Sequence, residues 1–168
     1  DKLRFEALTD SALYESDPEL KIRVSFDKDA RTITVIDNGI GMDRTRISEY
    51  RYVGYSRKIT GDSVGFRGIG KLSGISVADK IIVSTSPLGL SERYRLVFDA
   101  KAMLTRVEYL KTYGENISLN QLIREYTSLE VDDEDSDAHY TLVELFNVHS
   151  DSQDLMDIDK LREYLSLT

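Results

Sequence analysis

Residues 21–36 constrain the fold more than any other stretch of the chain. Lys21-Ile22-Arg23-Val24-Ser25-Phe26 alternates polar and apolar, Asp27-Lys28-Asp29-Ala30 is a short polar turn, and Arg31-Thr32-Ile33-Thr34-Val35-Ile36 alternates again. A period of two puts every second side chain on one face, so each run reads as a strand with one buried side. Two such runs joined by so short a turn form an antiparallel hairpin. A hairpin with one apolar face needs a second layer to cover it, which points to a sheet backed by helices. The second strand ends on Asp37-Asn38-Gly39, a run of turn formers.

The rest of the pattern fills in those two layers. Asp43 is placed to cap a short helix over 43–50. Residues 51–64 have no period and contain Gly54 and Gly61, which predicts a mobile loop. Residues 68–77 open on glycines and continue as a helix. Two alternating runs, 80–85 and 92–98, predict a second hairpin around Pro87-Leu88-Gly89. Further strands are expected at 122–129 and 139–147, joined by an acidic loop, and a final helix at 156–167. The fold class is α+β: a two-layer sandwich, a mostly antiparallel sheet with helices on one face. No repeat or low-complexity linker divides it, so residues 1–168 read as one domain. Leu3, Ala7 and Leu8 have helical spacing with no cap before them. Residues 1–8 are therefore expected to be the tail of a truncated N-terminal helix, and the chain a fragment.

Composition narrows the function classes. At 168 residues the chain can bury a real core, and no apolar run approaches the roughly 20 residues that span a bilayer. A basic start followed by an apolar stretch, the mark of a secretory signal, is missing. The absence of cysteine removes disulfide frameworks and thiolate zinc sites, which fits a cytoplasmic location away from membranes. A net charge of −8 runs against a free-standing nucleic-acid binder without excluding one. Arg44, Arg46, Arg51, Arg57, Lys58, Arg67 and Lys71 make the middle of the chain locally positive, where a phosphate-bearing ligand is attracted.

Two constellations carry chemistry. The first is Asp37-Asn38-Gly39-Ile40-Gly41-Met42: a carboxylate at the end of a buried strand, then two glycines. Without a β-carbon, glycine lets the backbone approach a flat ligand. The carboxylate can accept from an exocyclic amine, which adenine offers and guanine does not at that edge, and such a bond is worth about 1.5–3 kcal/mol. Met42 adds a soft apolar surface. Taken alone, a strand ending in a tight Asp-Asn-Gly turn reads the same way. The second is Gly65-Phe66-Arg67-Gly68-Ile69-Gly70-Lys71, a glycine-rich turn feeding a helix start. It offers backbone N–H groups and a point charge to phosphate, and taken alone it reads equally as a surface turn.

The pair together, D-x-G-x-G followed by G-x-x-G-x-G, resembles the GHKL ATPase superfamily: the DNA gyrase B subunit, ninety-kilodalton heat-shock chaperones, histidine kinases and MutL. Within it, residues 1–42 resemble the bacterial HtpG-type chaperones through Asp1-Lys2-Leu3-Arg4-Phe5-Glu6-Ala7-Leu8, Leu13-Tyr14-Glu15, the strand at 22–28, and Asp37-Asn38-Gly39-Ile40-Gly41-Met42. Val77-Ala78-Asp79-Lys80 resembles them too. The resemblance implies a Bergerat ATP-binding fold, with Asp37, Gly39, Gly41 and Met42 around adenine and Thr141 supporting the aspartate. It implies that Lys58, Gly65, Phe66, Gly68, Ile69, Gly70 and Lys71 serve the phosphates under a lid, and that the intact parent binds ATP with magnesium.

The sequence also departs from that pattern. Between Met42 and Gly65 it is shorter than a chaperone lid; Gly65-Phe66-Arg67-Gly68 is similar to MutL, and Gly54-Tyr55-Ser56-Arg57-Lys58 to short GHKL lids. Tyr140 stands where the family has glycine before its threonine. The family's catalytic glutamate and magnesium-binding asparagine lie on a helix upstream of the segment matching Asp1, so no catalytic residue and no metal ligand is assigned within 1–168, and little hydrolysis is expected from it. Glu130, Asp132, Asp133, Glu134, Asp135 and Asp137 lack the glycine of a calcium loop, and His139 and His149 lack a third zinc ligand.

Three functions compete. One is the ATP-binding domain of a chaperone-like ATPase, whose parent handles protein clients and forms a homodimer. Another is a MutL-like or MORC-like DNA-associated ATPase domain. The third is a degenerate interaction module, against which the intact Asp37 and Gly41 count.

Overall fold

A computed structural model describes residues 21–52, 70–160 and 163. Six strands are present among them: β1 (Ile22–Asp27), β2 (Thr32–Asp37), β3 (Ala78–Ser86), β4 (Glu92–Asp99), β5 (Thr127–Asp133) and β6 (Tyr140–Val148). They form one sheet in the order β1-β2-β6-β3-β4-β5, and every neighbouring pair is antiparallel. Three α-helices, α1 (Arg44–Tyr50), α2 (Ala100–Tyr113) and α3 (Leu119–Glu125), and two 3-10 helices, Gly70–Ser76 and Ser150–Met156, accompany the sheet. Both expected hairpins are present, β1–β2 and β3–β4, and the chain has the expected antiparallel sheet with helices on one face.

The register explains the core. Directly opposed residues of antiparallel neighbours share a face, so the pairings define rows across the sheet. One row runs Ile33–Leu145–Ile81–Phe98, and the next runs Val35–Val143–Val83–Leu96–Leu129. Both rows are apolar across β2, β6, β3 and β4, as the alternation of β2 predicts, and on β5 the first ends on Thr127. Ile47 of α1, Met103 of α2, and Leu122 and Ile123 of α3 join Ile81, Val83, Leu96 and Phe98 in one buried cluster. A second cluster of Ile33, Ala78, Val148 and Met156 holds the other end of the sheet. On the opposite face of β4 and β5, Arg93 and Arg95 pair across the strands with Asp132 and Glu130 at 2.8 Å. These pairs are solvent-exposed and contribute at most about 1 kcal/mol each.

Helix ends follow their side-chain signals. The Asp43 carboxylate accepts from the Arg46 N–H at 2.8 Å, as expected of a cap for 43–50. Asp99 caps α2 by accepting from Ala102 N–H at 2.9 Å, and Gly114 closes it in the left-handed conformation.

Three expectations need correction. The strand expected at 122–129 is split: Ser118 caps α3 by accepting from Gln121 N–H at 3.2 Å, and only Thr127 onward joins the sheet. Leu119, Leu122 and Ile123 have helical spacing, which outweighs the strand propensity of the isoleucine. In consequence Glu130, Asp132 and Asp133 lie on β5 rather than in a loop. The final helix does not begin at Met156, which ends a 3-10 helix instead. Asp157 interrupts there, and its side chain accepts from Asp159 N–H and Lys160 N–H to start a new turn at 158–160. The expected helix at 68–77 is a 3-10 helix over Gly70–Ser76 in its described part. The expected helix tail at 1–8 and residues 53–64 of the expected loop lie outside the described residues.

Candidate functional site

The third row across the covered face is polar. It runs Asp37–Thr141–Thr85–Tyr94, one register step beyond the Val35 row. Three strands, β2, β6 and β3, therefore bring a carboxylate and two hydroxyls side by side where the apolar rows end. Asp37, Gly39, Gly41, Met42 and Thr141, separate in the sequence, meet at this end of the sheet.

Asp37 is half-buried. It accepts from the Gly39 N–H at 2.9 Å, and the Thr141 N–H also donates to it. Burial pushes its carboxyl above the ordinary carboxylate value, and the two backbone donors pull the other way. A carboxylate has about four acceptor positions, so two bonds leave capacity for a ligand that donates. A carbon-13 titration of Asp37 should show a midpoint above that of a free aspartate. A ligand that donates to the ionised form should draw that midpoint down, so its affinity should weaken as pH falls through it. A midpoint unmoved by a bound ligand would speak against the contact.

The loop from Asn38 to Met42 is tied at almost every residue. Lys21 N–H donates to Asn38 Oδ1 at 2.6 Å, Leu88 N–H to Ile40 O at 2.9 Å, and Met42 N–H to Thr85 Oγ1 at 2.8 Å. His139 Nδ1 lies 3.0 Å from Gly39 O. Gly41 has φ +70, and a β-carbon there would stand 2.0 Å from Ser86 O and 2.6 Å from Ser86 C. Its glycine is thus required by the β3–β4 turn pressed against it, a reason internal to the fold.

Thr85 is the node of this arrangement and is fully buried. Its hydroxyl accepts from Met42, donates to Tyr140 O at 2.8 Å, and lies 3.4 Å from Thr141 Oγ1. Beside it, buried Ser86 donates to Ala138 O at 3.0 Å. Neither Thr85 nor His139 was expected at the site. The available signal was Ser84-Thr85-Ser86, three hydroxyls closing the apolar run Ile81-Ile82-Val83.

Most of the phosphate-side candidates fall outside the described residues. Lys58, Gly65, Phe66, Gly68 and Ile69 lie outside the described residues, while Gly70 and Lys71 open a 3-10 helix whose Ile75 packs against the core. Among the described residues, no His, Cys, Asp and Glu side chains group to hold a metal ion. Nor is any helix there long and apolar enough to cross a membrane.

Comparison with known proteins bears on the same residues. A family model described as histidine kinase-, DNA gyrase B-, and HSP90-like ATPase matches residues 15–141. The chain is 49% identical over 109 residues to chaperone protein HtpG of Nitrosospira multiformis, covering 56% of this chain and 17% of that protein. It is 50% identical over 103 residues to the HtpG of Paraburkholderia xenovorans, covering 54% and 16%. The chain therefore spans only about a sixth of the length of these relatives. Since the matched span takes in Asp37, the loop behind it and Thr141 where β6 begins, the chain belongs to the histidine kinase-, DNA gyrase B- and HSP90-like ATPases.

Proposed function

We propose that this domain binds ATP or ADP, with Asp37 accepting from the adenine amino group and Gly39, Gly41, Met42 and Thr141 enclosing the base. The observation that carries this reading is the half-buried carboxylate on the polar row where the apolar rows of the sheet end, with acceptor capacity left over. That acceptor-only chemistry fits the amino edge of adenine. The phosphate side falls to Lys58, Gly65, Phe66, Gly68, Ile69, Gly70 and Lys71, whose glycine-rich backbone and cations suit an anion. When bound, magnesium would neutralise phosphate charge; this chain's own part is to orient the base and exclude water from it.

In the longer protein, nucleotide binding and release would drive a chaperone-like conformational cycle acting on protein clients, with two chains pairing, in the cytoplasm. The matched relatives carry the name of a chaperone, which favours this over a DNA-associated ATPase, as does the net charge of −8.

Isothermal titration with ATP and GTP tests the reading. The wild-type chain should bind ATP and discriminate against GTP, and Asp37→Asn should weaken ATP binding at least about tenfold, the worth of one charge-assisted hydrogen bond. Its thermal midpoint should fall far less. Equal binding of ATP by wild type and Asp37→Asn would remove the assignment.

A further inference from the structure

We propose that His139 is a positioning residue for the nucleotide site, holding the Gly39 carbonyl so that Asp37 meets its ligand in one geometry. The proposal rests on the nucleotide reading above. A carbonyl oxygen only accepts, so the 3.0 Å contact with Gly39 O requires that Nδ1 carry the proton and donate. Gly39 N–H in turn donates to Asp37 at 2.9 Å. The two bonds grip the peptide planes on either side of the Gly39 α-carbon. Glycine has the freest backbone of any residue, so both of its dihedrals need such an external hold if the Asp37 carboxylate is to stay in one place.

His139 is itself firmly mounted. The carbonyl before it, Ala138 O, accepts from Ser86, and the carbonyl after its own, Tyr140 O, accepts from Thr85. Both hydroxyls are fully buried on β3. The ring therefore projects from a backbone that the central strand fixes on both sides, and it reaches the Gly39 carbonyl, in a loop that other bonds tie at Asn38, Ile40 and Met42. Chain order hides this arrangement, because His139 and Gly39 are 100 residues apart.

Three variants in the full chain test it. His139→Ala removes the donor, His139→Asn places an amide N–H close to where Nδ1 stood, and His139→Asp presents only acceptors to the carbonyl. ATP affinity, thermal midpoint and amide exchange of residues 39–42 are measured for each. The Ala and Asp variants should bind ATP roughly three- to tenfold more weakly, and the Asn variant within about twofold of wild type, the range of one neutral hydrogen bond. Exchange at 39–42 should rise in the Ala and Asp variants alone, while the thermal midpoints stay close together. Wild-type affinity and loop exchange in His139→Ala, or an Asn variant as weak as Ala, overturns the proposal. A wild-type chain that binds no ATP, or an Asp37→Asn variant that binds it equally well, overturns the nucleotide reading and the proposal with it.

Discussion

Gly41→Ala is expected to lower the unfolding free energy by about 2–6 kcal/mol, the sum of left-handed strain and forced overpacking. The added carbon would lie 2.0 Å from Ser86 O and 3.0 Å from Pro87 Cα, which are backbone atoms of a buried strand and its turn. No side chain can swing aside to make room. The loop must lift away, taking the Ile40–Leu88 and Met42–Thr85 bonds with it. Against a typical domain stability of about 5–15 kcal/mol, that is enough to unfold a marginal protein. Gly89→Ala and Gly114→Ala supply the control: φ is +79 and +69, yet an added carbon meets nothing within 4 Å. Those two should cost only the left-handed strain, roughly 1–2 kcal/mol. Urea unfolding of the three variants measures the difference. If Gly41→Ala costs no more than Gly89→Ala, the close approach to Ser86 is not as described.

The same glycine shows where sequence reasoning succeeds and where it stops. Alternation over 21–36 predicts β1 and β2 nearly to the residue because an exposed edge hairpin with one buried face has a strict period of two. β3 is buried on both faces from Ile81 to Ser86, yet its β-branched run and the following Pro87-Leu88-Gly89 still mark a hairpin. Asp37 and Gly41 were legible as important, but the cause assigned to Gly41 was a ligand. The contact with Ser86 lies 45 residues away in sequence, and nothing local announces it.

Other misses have local causes. No expectation covered α2, although Asp99, Met103, Val107, Leu110 and Gly114 form a cap, an apolar stripe and a closing glycine. Its mixture of Thr105, Val107, Tyr109 and Thr112 dilutes the helical period with residues common in strands. For 122–129 the apolar pair Leu122-Ile123 fits either period in so short a window, and the Ser118 cap decides it. Thr85 and His139 escaped notice for a different reason. Their roles depend on the register of β3 against β6 and on where the loop before β6 falls, which are long-range facts.

Thr85→Val should be the second severe substitution, at about 2–5 kcal/mol, because it takes a hydrogen-bond partner from two part-buried backbone groups. The shape is conserved, so loss of packing cannot account for the cost. Thr85 has one proton and donates it to Tyr140 O, while one of its lone pairs takes the Met42 N–H. With its proton and one lone pair so used, Thr85 can only accept in the 3.4 Å contact with Thr141. Valine abolishes all of this order at once and releases Met42 from β3. Thr85→Ser keeps the hydroxyl and loses a buried methyl, so it should cost about 1 kcal/mol. The ordering of the two variants in chemical denaturation is the test. A serine variant less stable than valine would mean that the methyl, packed beside Tyr94 in the same row, matters more than the hydroxyl, and that the loop is held by its other ties.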